Sequence, residues 1–267
     1  VSADPTPHLT TSALGRTLEL YDSIDSTNDR AKVLVREGAP HGLLVAARAQ
    51  TAGRGRLGRV WSSPPDAGVY ASFVVRPPAL LLRHAPLLTL VAGVAVREAA
   101  HALVGLDGAL KWPNDLWVAS GPLARRKVAG VLTETSASGE RLEAAVIGIG
   151  LNVREVARPP PLDGIASSLE GVTGRVVTPG EALGALANAL EAALDTFLAY
   201  GAAPILARWR AHAWGLGEAV RVGEATGVLR GIADDGALLL VQPDGTERRV
   251  YAGELEGPRA DAVAHGT

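Results

Sequence analysis

The 267-residue chain has neither cysteine nor methionine. With no thiol it forms no disulfide and attacks no substrate as a thiolate, which is compatible with a reducing compartment. Aromatic residues make up only 4% of the chain, and its formal net charge is -2. It therefore has neither the interleaved stacking platform nor the broad positive field of a non-specific nucleic-acid binder. Long apolar runs are missing too. The most apolar stretch, residues 85–102, is broken by Arg97 and Glu98, short of the roughly 18 uninterrupted residues that mark a membrane span. The amino end lacks the basic-then-apolar pattern of a secretory signal. These absences predict a cytoplasmic protein with no membrane partner, and the 47% hydrophobic, 20% charged composition is that of a folded soluble chain.

Short apolar runs separated by turn residues predict strands at Leu18–Tyr21, 42–49, 69–76, 109–112, 116–119, 128–135 and 143–153. The intervening Pro113-Asn114-Asp115, Ser120-Gly121-Pro122 and Ser138-Gly139 favour hairpins over crossovers. Asp25-Ser26-Thr27-Asn28 leads into a helix ending near Gly38, with Ser26 or Thr27 as its cap. Residues 86–106 are apolar on nearly every face and read as a buried helix. Pro159 to Pro161 reads as a stiff loop. Thr178-Pro179-Gly180-Glu181 opens another helix with a threonine cap, a first-turn proline and a returning glutamate. Its stripe is Leu183, Leu186, Leu190, Leu194 and Phe197. After Trp214, short strands at 219–222, 227–230, 237–241 and 248–251 predict a small barrel.

The chemistry concentrates in a few segments. Gly53-Arg54-Gly55-Arg56-Leu57-Gly58-Arg59-Val60-Trp61 follows a strand and sets three guanidiniums among glycines, a composition suited to wrapping an anion in backbone N–H groups and planar donor forks. Lys111-Trp112-Pro113-Asn114-Asp115 puts a cation and a carboxylate at a strand end. Lys127-Val128-Ala129-Gly130 starts a strand with another cation, and Gly148-Ile149-Gly150-Leu151-Asn152 ends one in an amide. Each has an ordinary structural reading: a solvated edge charge for Lys111 and Lys127, a turn or cap residue for Asn152 and Asp115. Taken together they suit attack on a nucleotide α-phosphate, with a divalent ion held through Asp115 and a loop that closes. The chain contains neither a G-x-x-x-x-G-K-[ST] phosphate loop nor a G-x-G-x-x-G fingerprint leading into a helix.

These segments, in this order, resemble the biotin protein ligases over residues 21–255. The resemblance implies a two-step reaction in which biotin and MgATP give biotinoyl-5'-AMP and pyrophosphate, after which a lysine of a biotin carboxyl carrier protein takes the biotinoyl group. It implies that Ser26, Thr27 and Gln50 hold the biotin head, with Asn28, Gly53, Gly55, Asn114, Gly130 and Gly150 also in the binding site. Arg54, Arg56 and Arg59 belong to the loop over the acyl-adenylate, with Arg56 retaining the intermediate and Trp61 supporting the closed loop. Lys127 stands at the biotin carboxylate and α-phosphate, and Lys111 lies more peripherally on the phosphates. Asp115 serves Mg2+, and Asn152 the nucleotide side. Lys127, Arg54 and Arg56 are the expected catalytic groups. No side-chain nucleophile is required, and none of the six histidines falls in a signature.

The implied fold is an α/β (α+β) arrangement: a mixed, largely antiparallel sheet with packed helices, then an SH3-like β-barrel. The expected organisation is a flexible amino end at 1–15, a catalytic domain at 16–213, the barrel at 214–258 and a tail at 259–267. Repressor-type relatives carry a winged helix ahead of the catalytic domain, and too few residues precede Asp25 for one, so DNA is not an expected partner. A monomer and a weak homodimer are equally allowed. The segment 114–127 is longer than the family's compact hairpin. The rival readings are a lipoate-protein ligase, which lacks this arginine-rich signature, and a non-catalytic biotin or nucleotide sensor, which has no need of transition-state clamps.

Overall fold

The computed structural model describes residues 4–77, 80, 82–160 and 162–257. Pro161, in the proline loop, and the expected tail at 259–267 lie outside the described residues.

The first sheet contains β1 (Leu18–Tyr21), β2 (Leu44–Ala47), β3 (Gly68–Val75), β4 (Gly108–Lys111), β5 (Asp115–Val118), β6 (Lys127–Ser138) and β7 (Arg141–Asn152). Its order is β1-β2-β3-β7-β6-β5-β4. Only β1 and β2 run parallel; every other neighbouring pair is antiparallel, as the hairpin turns predict. All eight residues of the central β3 are buried, so it reads as a continuous apolar run rather than an alternating one. The polar groups in that run are the Ser72 hydroxyl and the Tyr70 phenol.

Helices cover both faces. On one side lies α1 (Thr27–Arg36), where Ala31 meets Leu43, Val45, Val74 and Val146. On the other, α2 (Ala85–Val104) and α4 (Pro179–Tyr200) pack on each other and on the sheet. Both are long and apolar enough to cross a membrane, but here their apolar residues form the core. Ser26 caps α1 by accepting from the Asp29 N–H at 3.4 Å. At the start of α4, Thr178 Oγ1 accepts from the Glu181 N–H at 3.1 Å and the Glu181 carboxylate accepts from the Thr178 N–H at 2.7 Å, the reciprocal capping pair written in the sequence. The short α3 (Leu169–Thr173) and α5 (Ala203–Ala211) have no strong sequence stripe. Ahead of β1, the Glu191 carboxylate of α4 accepts the N–H groups of Ser12, Ala13 and Leu14, and Leu14 is fully buried.

The expected barrel is not there. Strands β8 (Ala219–Val222), β9 (Ala225–Ile232), β10 (Leu238–Val241), β11 (Glu247–Val250) and β12 (Leu255–Glu256) form an open antiparallel sheet ordered β11-β10-β9-β8-β12. Closure requires the two outer strands to exchange hydrogen bonds. Here β12 is two residues long and pairs only with β8, and β11 pairs only with β10. β11 carries Glu247, Arg248 and Arg249, all exposed, and such charged edges resist further pairing. This sheet is anchored to the first: Leu110 donates to His212 O, Trp214 donates to Leu110 O, and the buried Trp112 indole donates to Gly236 O at 3.1 Å.

Leu186 is fully buried on α4 within this core. Leu186→Ala is expected to lower unfolding free energy by about 2–5 kcal/mol through lost apolar contact and a residual cavity, measured by urea denaturation.

Candidate active site

The sheet centre is opened by small side chains. In the paired β3, β7 and β6, Ala71 stands opposite Ile149, with Gly150 beside Gly130 and Gly148 beside Leu132. A cavity of about 240 Å³ sits above this floor, walled by the start of α1, residues 54–61, and residues of the segments 154–158 and 162–166. It lies at the small end of ligand sites, which run roughly 300–1,000 Å³. Of the expected site residues, Ser26, Thr27, Asn28, Gln50, Arg54, Gly55, Arg56, Arg59, Trp61, Asn114, Lys127, Gly130, Gly150 and Asn152 line it. Gly53, Lys111 and Asp115 do not.

A hydrogen-bonded chain runs along the wall beneath α1. The Thr27 N–H donates to Gln50 Oε1 at 2.9 Å, and Gln50 Nε2 donates to Ser63 Oγ at 2.8 Å. Ser72 Oγ lies 2.8 Å from Thr27 Oγ1 and donates to Asn28 Oδ1 at 2.5 Å. Asn28 Nδ2 in turn donates to Glu134 Oε2 at 3.0 Å. Ser26, Thr27, Asn28 and Ser72 are all buried, so these bonds are what makes a polar wall tolerable inside an apolar core.

Two glycines set the positions of the larger side chains. A Cβ on Gly150 would strike the Trp61 indole, and one on Gly148 would strike the Asn28 amide. Their absence lets the indole lie against β7 and the amide reach the sheet. Trp61 also faces Lys127, whose Nζ is 5.2 Å from its ring centroid. On its other side that ammonium pairs with Asp115 Oδ1 at 2.7 Å. β5 and β6 are neighbours whose register shifts after Leu116, so that Lys127 stands opposite Trp117 and shares a sheet face with Asp115, two residues away along β5.

The glycine-arginine loop folds back on itself through the Gly55 N–H to Arg59 O bond of 2.7 Å. Its three arginines diverge. Arg54 pairs with Glu134 and, at 3.1 Å, with Asp29. Arg59 pairs with Glu254, just ahead of β12. Arg56 turns inward and donates to Asn114 Oδ1 at 3.3 Å; burial pushes its pKa down, with Asp115 opposing the shift. At the far end Asn152 Nδ2 donates to Ser167 O at 2.9 Å, joining β7 to the segment that flanks Lys127.

Lys111 lies behind the cavity wall. Its Nζ is 4.0 Å from the Trp117 ring centroid and 5.5 Å from that of Trp214, and burial lowers its pKa despite nearby Asp115. Trp112 of the same signature is turned into the core. Sequence reasoning missed Ser72, Tyr70, Glu134 and Arg158. Ser72 and Tyr70 had a legible signal, as polar groups inside an apolar strand; the other two are ordinary surface-type residues in sequence.

Because a methyl group at position 150 competes with the indole for the same space, Gly150→Ala is expected to cost about 1–3 kcal/mol and to displace Trp61. Urea denaturation and the near-ultraviolet circular dichroism of the folded variant check both effects.

With the geometry in hand, comparison with known proteins gives one answer. Residues 20–152 match the biotin/lipoate A/B protein ligase family, and residues 215–256 match the biotin protein ligase C-terminal domain. The chain is 40% identical over 241 residues to a biotin--[acetyl-CoA-carboxylase] ligase of Paracoccus denitrificans, covering 84% of this chain and 93% of that one. It is 35% identical over 254 residues to the bifunctional ligase/repressor BirA of Bacillus spizizenii, covering 93% and 76% respectively. The biotin protein ligase from Aquifex aeolicus, solved in complex with biotin and ATP, superimposes with a TM-score of 0.78 at 30% identity, covering 92% of this chain and all of that one. With both of its parts matched by family models, a relative 40% identical over most of both chains, and its fold superimposed on a solved ligase, this chain belongs to the biotin protein ligase family.

Proposed function

We propose that this ligase, which uses ATP and biotin, makes biotinoyl-5'-AMP in the cavity over β6 and β7 and passes the biotinoyl group to a lysine of a biotin carboxyl carrier protein. The observation that carries the reading is the convergence of Arg56, Asn114 and Lys127 on one cavity that is also lined by the neutral polar groups of Thr27, Asn28 and Gln50, with Ser72 bonded behind them. A urea-like head needs paired donors and acceptors in a dry pocket. A carboxylate meeting a phosphate needs cations.

In the first step a biotin carboxylate oxygen attacks the α-phosphorus of ATP, and the bond to the bridging oxygen breaks to release pyrophosphate. Lys127 and Arg56 offset the charge that accumulates on the non-bridging oxygens. In the second, the neutral amine of the acceptor lysine attacks the acyl carbon; AMP leaves and the nitrogen loses its proton. Arg56 and the loop around it hold the mixed anhydride away from water in the interval. Trp61 supports the closed loop, and Asn152 serves the nucleotide side. Ser26 and Gly55 shape the pocket, Gly53 lets the chain pass close to Trp61 O and Gln50 behind it, and Lys111 supplies a more distant positive charge.

Among the described residues no three His, Cys, Asp or Glu side chains cluster as a metal cage. A single carboxylate still fits Mg2+ that arrives on a nucleotide, because this ion is usually held by one or two carboxylates together with phosphates. Asp115 is the residue that would hold it, and the ion would supply charge neutralisation at the phosphates. In the protein itself Asp115 keeps the Lys127 ammonium over the Trp61 face.

The same proposal divides the chain into a catalytic part, 16–213, and a carboxyl-terminal part, 214–258, that docks the carrier and supports the ATP side. It locates the reaction in the cytoplasm. The defining test is calorimetric titration with biotin and with lipoate, each with and without a non-hydrolysable ATP analogue. Tight biotin binding with weak lipoate binding is expected, and the reverse preference would overturn the assignment.

Lys127→Ala is expected to lower pyrophosphate release from biotin and ATP by at least about tenfold, or roughly 1.4 kcal/mol, while biotin affinity stays near the parent value. Arg56→Gly is expected to make biotinoyl-AMP and lose it: free adenylate should rise in the filtrate, along with biotin on lysines of bystander proteins. An unchanged filtrate would reduce Arg56 to a solvated charge.

A further inference from the structure

Glu134 lies on β6 outside every signature, yet two walls of the cavity meet on its carboxylate. Oε2 accepts from Asn28 Nδ2 at 3.0 Å and pairs with Arg54; Oε1 pairs with Lys32 Nζ at 2.9 Å. Lys32 and Arg54 also share Asp29, at 2.8 and 3.1 Å. Isolated, such partly exposed ion pairs contribute little. What distinguishes this one is the chain behind it. Asn28 is 4% exposed, and its amide oxygen is held by Ser72, which is fully buried and also touches Thr27. Thr27 leads through Gln50 to Ser63, whose hydroxyl donates to Trp61 O at 3.2 Å. The chain therefore starts at Arg54, where the glycine-arginine loop leaves the body, and ends at Trp61, where the loop returns. Between those points it forms the wall proposed to hold the biotin head.

We infer that Glu134 is a positioning residue that couples occupancy of the biotin wall to the posture of the glycine-arginine loop, with Arg54 acting as the loop's tether to Glu134 and not as a group on the reacting atoms. Asn28 has one amide to place. If Glu134 holds its nitrogen, its oxygen faces Ser72 and the wall keeps one hydrogen-bond order; the same carboxylate oxygen holds Arg54, so the stem of the loop is fixed with it. Removing the charge while keeping the shape turns one acceptor into a donor opposite Asn28, Lys32 and Arg54, all of which donate. The wall and the stem then lose their common anchor. This inference rests on the biotin-ligase reading above.

The test uses the full chain and added biotinoyl-AMP as the probe. Glu134→Gln is expected to release it at least about fivefold faster and to weaken biotin binding, with a melting temperature within about 2 °C of the parent. Glu134→Asp, which keeps the charge, is expected to recover part of the retention. Arg54→Gln should speed release as well, and the double variant should be no faster than the faster single one, because both act through one contact. Release from Glu134→Gln at the parent rate, or effects of the two substitutions that simply multiply, would overturn the coupling while leaving the ligase reading intact. A parent chain that does not retain biotinoyl-AMP at all would overturn both. Should Glu134→Gln fold poorly, the Arg54→Gln and Glu134→Asp pair decides the question by the same non-additivity.

Discussion

The site depends on an exclusion of volume: the indole of Trp61 occupies the space that a side chain at Gly150 would fill. Everything else at the mouth of the cavity follows from that contact. With the indole against β7 at Gly150, the end of the glycine-arginine loop is held on the floor of the cavity, and the face of the ring becomes a surface for the Lys127 ammonium. Cation and ring attract through the ring quadrupole, and Asp115 holds the ammonium from the opposite side. A loop that is hinged by glycines along most of its length is thereby rigid at the end nearest the chemistry.

The sheet explains why so precise a contact can persist. β3, β7 and β6 form its centre, each paired on both sides, and helices cover both faces, so the floor cannot shift without disturbing the core. The polar wall stands on the same strands. Ser72 is in the middle of β3, between residues buried on all sides, and a hydroxyl there is tolerated only because Thr27 and Asn28 answer it. A polar group in the best-packed strand of the molecule signals a function that packing alone does not demand.

Much of this was legible in the sequence, and the boundary of legibility is physical. Strands alternating with tight turns gave the antiparallel order; the Thr178 to Glu181 capping pair gave the start of α4; the spacing of arginines and glycines marked the loop that walls the cavity. These are local rules, readable within a few residues. The barrel failed because closure is a non-local property. Four apolar runs with glycine turns look alike whether or not the outer strands meet, and here the two-residue β12 and the charged β11 leave the sheet open. The destination of side chains was equally hidden. Trp112 and Lys111 sit in a signature but turn toward the second sheet and the Trp117–Trp214 pair, while Glu134, in no signature, reaches the cavity wall. Which charges meet across strands depends on register, and one bulge after Leu116 suffices to bring Asp115 and Lys127 together.

Charge is conserved locally around the cavity, and this bears on how an anion could be received. Lys127 faces Asp115, Arg54 faces Glu134 and Asp29, and Arg59 faces Glu254. Arg56 alone of these four cations makes no ion pair among the described residues; its partner is the neutral Asn114. Burial pushes its pKa down, with Asp115 opposing the shift, the mark of a guanidinium held in a partly dry place. A cation held partly dry without a direct ion pair carries a desolvation cost. An anion entering the cavity relieves that cost at Arg56 without first breaking a pair, whereas recruiting any of the other three requires an exchange of partners.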